Sequence, residues 1–208
     1  MKLAIFPGTF NPVHIAHLII AESAWSQCRL DKVLFVTSCI PPHRSENIAP
    51  ASERHEMVEL CCSENDHFEV STIEIDRKGP SYTYKTVENV RQIYNITDRL
   101  YFLIGADAIG QLHTWHEAQQ IVDSVHFLVF SRPGQPDIKE CIASTGLKNF
   151  KYDVIEAPLL EISSTLIRNN ISSGKSIKFL VLDNVRNYIE THNLYKETLN
   201  GGLTSGYC

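Results

Sequence analysis

His14 and His17, three residues apart, are the side chains best placed for chemistry. They end the segment Pro7-Gly8-Thr9-Phe10-Asn11-Pro12-Val13-His14-Ile15-Ala16-His17, which follows a short apolar run from Lys2 to Phe6. That run reads as a strand; after His17 the pattern Leu18, Ile19, Ile20, Ala21, Ala24, Trp25 reads as a helix. A strand that breaks at Gly-Thr and restarts as a helix presents backbone N–H groups and the positive end of a helix dipole to an anion. Residues at i and i+3 share a helix face, so both imidazoles lie one turn apart on the same side. Two imidazoles aimed at an anion hole suit chemistry on a nucleotide phosphate.

Such a site needs a scaffold, and the rest of the chain supplies the pattern of one. Lys32–Thr37, Leu100–Ile104, Val125–Phe130 and Tyr152–Ile155 read as apolar strands, and Phe68–Ile75 as an alternating extended stretch. Helical periodicity marks residues 51–62, with Met57, Leu60 and Cys61 on one face. It also marks Thr83–Tyr94, with Val87, Val90 and Tyr94 as a stripe, and two segments near 163–172 and 183–192. Strands spaced by helices predict an α/β fold: a Rossmann-like, doubly wound parallel sheet with helices on both faces and a small helical C-terminal part. We expect one domain over residues 1–197 and a flexible Gly-rich tail over 198–208. Polar breaks at Phe10–His17, Thr37–Arg44, Gly105–Asp107 and Arg132–Gly134 all follow the carboxyl ends of expected strands. In an open α/β sheet those ends share one edge, where ligands bind at the topological switch point. Residues distant in sequence are thereby expected around one cleft.

Composition narrows the function classes. The 208 residues carry a formal charge of −5 and are 43% hydrophobic, enough for one sizeable core. That charge gives no general attraction to nucleic acid or anionic membrane. No apolar run is long enough to span a bilayer, and Lys2 leads into a strand-length run rather than a leader. Six cysteines, at 28, 39, 61, 62, 141 and 208, include no C-x-x-C pair. Their scatter fits reduced thiols in a cytoplasmic protein.

The motifs, in order, carry a resemblance. Gly8-Thr9-Phe10-Asn11-Pro12-Val13-His14-Ile15-Ala16-His17 resembles the G-T-F-D-P-x-H-x-G-H signature of nucleotidyltransferases, and Ile162-Ser163-Ser164-Thr165-Leu166-Ile167-Arg168 resembles their second signature, I-S-S-T-x-I-R. Between them Pro41-Pro42-His43-Arg44, Gly79-Pro80-Ser81-Tyr82-Thr83, Gly105-Ala106-Asp107 with Trp115, and Arg132-Pro133-Gly134 resemble the bacterial nicotinate-nucleotide adenylyltransferase branch, from Met1 to about Glu197. Three positions depart from that pattern: Pro7 for glycine, Asn11 for aspartate and Ala16 for the glycine of H-x-G-H. Ala16 adds a methyl where the branch packs nucleotide against the helix start, and alanine's helix propensity predicts tolerance. Asn11 loses a charge, with consequences for local metal or loop geometry.

The resemblance implies transfer of AMP from ATP to nicotinate mononucleotide, giving deamido-NAD and pyrophosphate. The acceptor phosphate is already anionic, so the protein must mainly position two anions and neutralise charge on the transferring group. It implies an ATP-binding set of Gly8, Thr9, Phe10, His14, His17, Ser163, Ser164, Thr165 and Arg168, of which His14, His17 and Arg168 are catalytic. His17 is expected to stabilise the transition state, His14 to position, and Arg168 to clamp the β- and γ-phosphates. Arg44, Thr83, Asp107, Trp115 and Arg132 form the implied mononucleotide set, with Trp115 as an exposed platform for the pyridine ring. Mg²⁺ is implied as ATP's companion, held by phosphate and water with no dedicated protein site. No nucleic-acid or membrane partner is expected; a homo-oligomer and the choice between nicotinate and nicotinamide mononucleotides stay open.

Plainer readings exist for each residue, and His14 and His17 alone suit a simple cap that covers a helix start. Ser163-Ser164-Thr165 is the composition of an ordinary N-cap, Asp107 of a helix cap and Arg168 of a solvated charge. Trp115 suits a rim aromatic, and Pro41–Arg44 a rigid turn. Two other function classes fit parts of the chain. A zinc hydrolase needs three placed ligands, and the pairs His14/His17 and His113/His116 lack an H-E-x-x-H context. A nucleotide-binding sensor on the same fold would not need His17 and Arg168 together. Pantetheine-phosphate adenylyltransferases share the H-x-G-H logic in shorter chains.

Overall fold

The computed structural model describes residues 1–40, 48–131, 137–158 and 160–196. Among these, β1 (Leu3–Gly8), β2 (Lys32–Thr37), β3 (Phe68–Ser71), β4 (Tyr101–Gly105), β5 (His126–Phe130) and β6 (Tyr152–Val154) form one parallel sheet in the order β3-β2-β1-β4-β5-β6. The helices are α1 (Ile15–Cys28), α2 (Ala51–Cys62), α3 (Ile73–Arg77), α4 (Thr83–Ile93), α5 (Ala106–Ile109), α6 (Ala118–Ser124), α7 (Ile138–Thr145), α8 (Ser164–Ser172) and α9 (Asp183–Thr191), with a 3₁₀ turn at Leu112–Thr114. This is the expected Rossmann-like, doubly wound fold.

The strands are apolar on both faces because both faces are covered. Ala4, Phe6, Phe35, Leu103 and Leu128 pack on one side with residues of α1, α2, α8 and α9. Leu3, Ile5, Leu34, Phe102 and Phe127 pack on the other with Val87 and Val90 of α4, Ile121 and Val122 of α6, and Cys141 of α7. The order reverses between β1 and β4, so the loops after Gly8 and Gly105 flank the switch point where such sheets bind ligands.

One element differs from its sequence pattern. The extended stretch expected over Phe68–Ile75 stops at Ser71, and Ile73–Arg77 is a turn of helix. Thr72 starts it: its carbonyl accepts the Asp76 N–H at 2.8 Å, and its hydroxyl donates to Asp76 at 2.5 Å. Glu74 is buried there, and its carboxylate accepts the Thr86 hydroxyl at 2.6 Å with Arg77 at 3.9 Å. The apolar alternation of Val70, Ile73 and Ile75 is thus shared between a strand and a helix. Cys28, Cys61, Cys62 and Cys141 carry free thiols, as the scatter of cysteines predicts. Among the described residues no helix is long and apolar enough to cross a membrane.

Candidate active site

The loop from β1 to α1 is built around Phe10. Its backbone takes the left-handed φ of 47°, which turns the ring back over Gly8. A Cβ on Gly8 would stand 2.7 Å from the Phe10 ring, so only glycine admits this packing. The buried ring meets Phe6 edge-on at 5.7 Å and the His17 imidazole edge-on at 5.1 Å. Phe10 thereby buttresses His17 rather than facing solvent itself.

His14 caps α1, and His17 occupies the third helical position. They form a reciprocal capping pair in which His17 Nδ1 accepts the His14 backbone N–H at 3.2 Å. Their rings stack 3.7 Å apart, inclined by 24°. Because Nδ1 accepts, a neutral His17 ring carries its hydrogen on Nε2 and is a donor from that atom. His14 is buried, 1% exposed, whereas His17 is only partly covered. Sequence spacing made the two equivalent; burial separates an inner histidine from an outer one.

α8 lies against the same loop. The Ser163 hydroxyl caps it by accepting the Leu166 N–H at 3.1 Å, and the Ser164 hydroxyl donates to the Pro12 carbonyl at 2.8 Å. Arg168 donates one guanidinium N–H to the Asn11 carbonyl at 2.9 Å and another to the Thr165 hydroxyl at 3.3 Å. Residues about 150 positions apart are therefore joined directly. Gly8, Thr9, Phe10, His14, His17, Ser163, Ser164, Thr165 and Arg168 gather around one loop, as the shared strand edge requires. The two departures at Asn11 and Ala16 both turn inward. Ala16 is buried, and the Asn11 Oδ1 accepts the Ala49 N–H at 3.0 Å and the Tyr195 hydroxyl at 2.8 Å.

A second group forms beyond β2 and β4. The Cys39 N–H donates to the Ser81 hydroxyl at 3.0 Å, which ties the 80–84 segment to the end of β2. His116 meets the Tyr82 ring at 4.9 Å and the Tyr84 ring at 6.1 Å, so Thr83 at the start of α4 neighbours the Trp115–His116 turn. Trp115 is half-buried against Phe102, 6.5 Å away, where an exposed indole was expected; its location after a 3₁₀ turn seats one edge in the core. Asp107 is exposed in α5, its carboxylate accepting the Ala108 N–H at 3.0 Å. Gly105 leaves room for this rotamer, since a Cβ there would stand 2.4 Å from Asp107 Oδ1 and turn the carboxylate aside. Arg44 and Arg132, with the Pro41–Arg44 turn and the 198–208 tail, lie outside the described residues.

Comparison with known proteins matches this arrangement to one family. The cytidylyltransferase-like family model matches residues 5–170. A relative in Thermoanaerobacter sp. (strain X514), named "Probable nicotinate-nucleotide adenylyltransferase", is 37% identical over 207 residues, covering 98% of each chain. One of the same name in Clostridium tetani is 39% identical over 199 residues, covering 94% of this chain and 99% of its own. The chain belongs to the nicotinate-nucleotide adenylyltransferase family. Its fold is also that of the Plasmodium falciparum nicotinic acid mononucleotide adenylyltransferase solved with NaAD, with a TM-score of 0.77 at 20% identity over 96% of this chain and 99% of that one. As a nicotinate-nucleotide adenylyltransferase family member the chain is a nucleotidyltransferase of the NAD-biosynthetic type.

Sequence reading of this family member missed four residues beside the site. Arg54, 1% exposed, donates to four backbone carbonyls near the site. Tyr195 reaches the first loop from the far end of the described chain. The Thr37 and Ser38 hydroxyls at the end of β2 are buried without a partner among the described residues. Their only sequence signal was a polar end to the KVLFVT strand. Arg54 looked like one more polar position on an amphipathic helix.

Proposed function

We propose that the chain joins ATP to nicotinate mononucleotide, releasing pyrophosphate and forming deamido-NAD, with the first loop and α8 as the ATP side and the Thr83, Asp107 and Trp115 group as the acceptor side. A phosphate oxygen of the mononucleotide attacks the α-phosphorus of ATP in line, a new P–O bond forms, and the bond to pyrophosphate breaks. The acceptor oxygen is already anionic, so no protein base is required. What the chain must supply is orientation and positive charge on the transferring phosphoryl group and the leaving pyrophosphate.

The observation that carries this reading is the capping pair, which fixes His17 as an Nε2 donor at a helix N-terminus. His17 donates to the charge that develops at the α-phosphate; His14, beneath it, holds the ring in place. Arg168, already oriented by the Asn11 carbonyl, presents its remaining donors to the β- and γ-phosphates with Thr9, Ser163, Ser164 and Thr165 nearby. Gly8 and Phe10 shape that loop. Trp115 stacks on the pyridine ring, Thr83 and its neighbouring backbone meet the nicotinate carboxylate, Asp107 holds a ribose hydroxyl, and Arg132 or Arg44 binds phosphate. The donor types of the described site, imidazole, hydroxyl and guanidinium, suit phosphate oxygens rather than a hard cation, so Mg²⁺ fits here as an ion borne by ATP. When bound, it neutralises phosphate charge. The reduced-thiol composition supports a cytoplasmic setting.

The deciding assay is Mg²⁺-dependent pyrophosphate release from ATP with nicotinate mononucleotide, nicotinamide mononucleotide and phosphopantetheine compared side by side. We expect the strongest signal with nicotinate mononucleotide and deamido-NAD as product. Release with phosphopantetheine alone, or with none of the three despite ATP binding, would overturn the reading.

A further inference from the structure

We propose that Arg54 and Tyr195, neither of which faces substrate, are positioning residues that set the Thr9–Asn11 loop and, through Phe10, the His17 ring; the proposal rests on the reading of His17 given above. Arg54 lies in the first turn of α2 and is among the most fully buried large side chains of the chain. Its Nε–H donates to the Ala49 carbonyl at 2.9 Å. One terminal nitrogen donates to the Thr9 carbonyl at 2.6 Å, and the other to the Ser38 and Cys39 carbonyls at 2.8 and 3.1 Å. The acceptors belong to three separate segments: the loop after β1, the end of β2 and the lead-in to α2. A planar guanidinium with five donors in a fixed fork can span them; an ammonium, a single point of donation, cannot.

The loop needs this support. Phe10 holds a left-handed backbone that a bulky residue ordinarily avoids, so the peptides on each side must be pinned from outside. Arg54 pins the near side through the Thr9 carbonyl. On the far side, the Asn11 Oδ1 accepts the Ala49 N–H and the Tyr195 hydroxyl, while the Ala49 carbonyl returns to Arg54. The two ends are thus one connected network. Burial keeps the Tyr195 phenol protonated well above its ordinary range, with Arg54 and Arg168 pulling the other way, so it remains a donor. Between the pins, the Phe10 ring bears edge-on on His17 at 5.1 Å. Ser38 N–H also donates to the Gly8 carbonyl at 3.0 Å, so the same network fixes the loop relative to the end of β2, where the acceptor side begins.

The test uses Arg54→Lys and Tyr195→Phe, each alone and combined with His17→Ala, in the full chain well below each variant's melting temperature. A loop displaced by a fraction of an ångström should lower kcat/KM by about 10- to 100-fold for Arg54→Lys, mainly in kcat. Loss of one hydroxyl donor predicts about a fivefold loss for Tyr195→Phe. In the His17→Ala background both losses should shrink, because the share carried through the ring has been removed and only the share carried through Arg168 on the Asn11 carbonyl remains. Losses that multiply unchanged in that background, or kcat/KM unaltered per folded molecule, would overturn the proposal. If Arg54→Lys does not fold, Tyr195→Phe decides alone, since it removes a single hydroxyl and keeps the ring. Wild-type enzyme assayed in parallel separates the two levels: silence there would refute the proposed reaction, and an active wild type with unaffected variants would refute only the network.

Discussion

At the scale of single residues, the proposed chemistry depends on one proton. His17 Nδ1 is occupied by the His14 backbone N–H, which leaves Nε2 as the protonated atom of the neutral ring. Replacing His17 by alanine should therefore cut kcat about 10²- to 10³-fold, the usual cost of one donor to a developing charge. Circular dichroism should show the fold retained, and near-normal turnover would remove His17 from the mechanism. Trp115→Ala tests the other side of the cleft. Because the indole is part-seated on Phe102, we expect a modest stability loss together with a raised mononucleotide KM and an unchanged ATP KM. A change confined to ATP would contradict the stacking role. The histidine pair was legible in the chain through the paired signatures, since i and i+3 spacing at a strand-to-helix break serves equally for a helix cap, which these two also form. That one ring lies beneath the other was not, since nothing in a sequence orders two equal neighbours by depth.

At the scale of elements, α8 contributes a start rather than a length. Ser163 caps it, Ser164 fastens it to Pro12 and Arg168 leaves its first turns for Asn11. Ser163→Ala should destabilise the chain by about 1 kcal/mol through the lost cap. We further expect it to raise the ATP KM more than the mononucleotide KM, measured by varying each substrate in turn; equal shifts would mean that α8 does not belong to the ATP side. The strands Lys32–Thr37 and the helix over residues 51–62 were legible to the residue, because a continuous β-branched run and a full helical period each repeat their own signal. The short helices α5, α6 and α7 were not anticipated. Segments of one or two turns show too little periodicity to be told from a loop.

For the whole molecule, the two packed faces of the sheet set the response to alkali. Burial, with Glu64 nearby, raises the Cys61 thiol from 9.0 to about 12, and burial beside Cys61 raises Cys62 still further. Burial and a hydrogen bond to Glu69 likewise raise Tyr94. Well below pH 9 these groups are protonated in both states and stability does not depend on them. Above it the unfolded chain releases protons that the folded chain keeps, so unfolding is favoured as pH rises towards the folded values. Each buried thiol should lower stability by up to about 1.4 kcal/mol per pH unit in that window. Urea midpoints at pH 8, 9 and 10 will test this, and a flat profile would contradict it. The same thiols should resist alkylation until the chain unfolds.

The fold class, the sheet edge at which the proposed site lies and the residues proposed for its ATP side were all legible in the chain. Those follow from strand and helix periods, from polar breaks at strand ends and from two signatures in a fixed order. Tertiary structure alone decided how the members are held. Only contacts across 157 and 184 positions seat Arg168 on the Asn11 carbonyl and bring Tyr195 to Asn11, and only folding collects four carbonyls, 5 to 45 positions away, around Arg54. The physical reason is the acceptors themselves: all of those hydrogen bonds but the one from Tyr195 end on backbone oxygens, which every residue possesses, so no residue type in the sequence marks where a donor will find its partner.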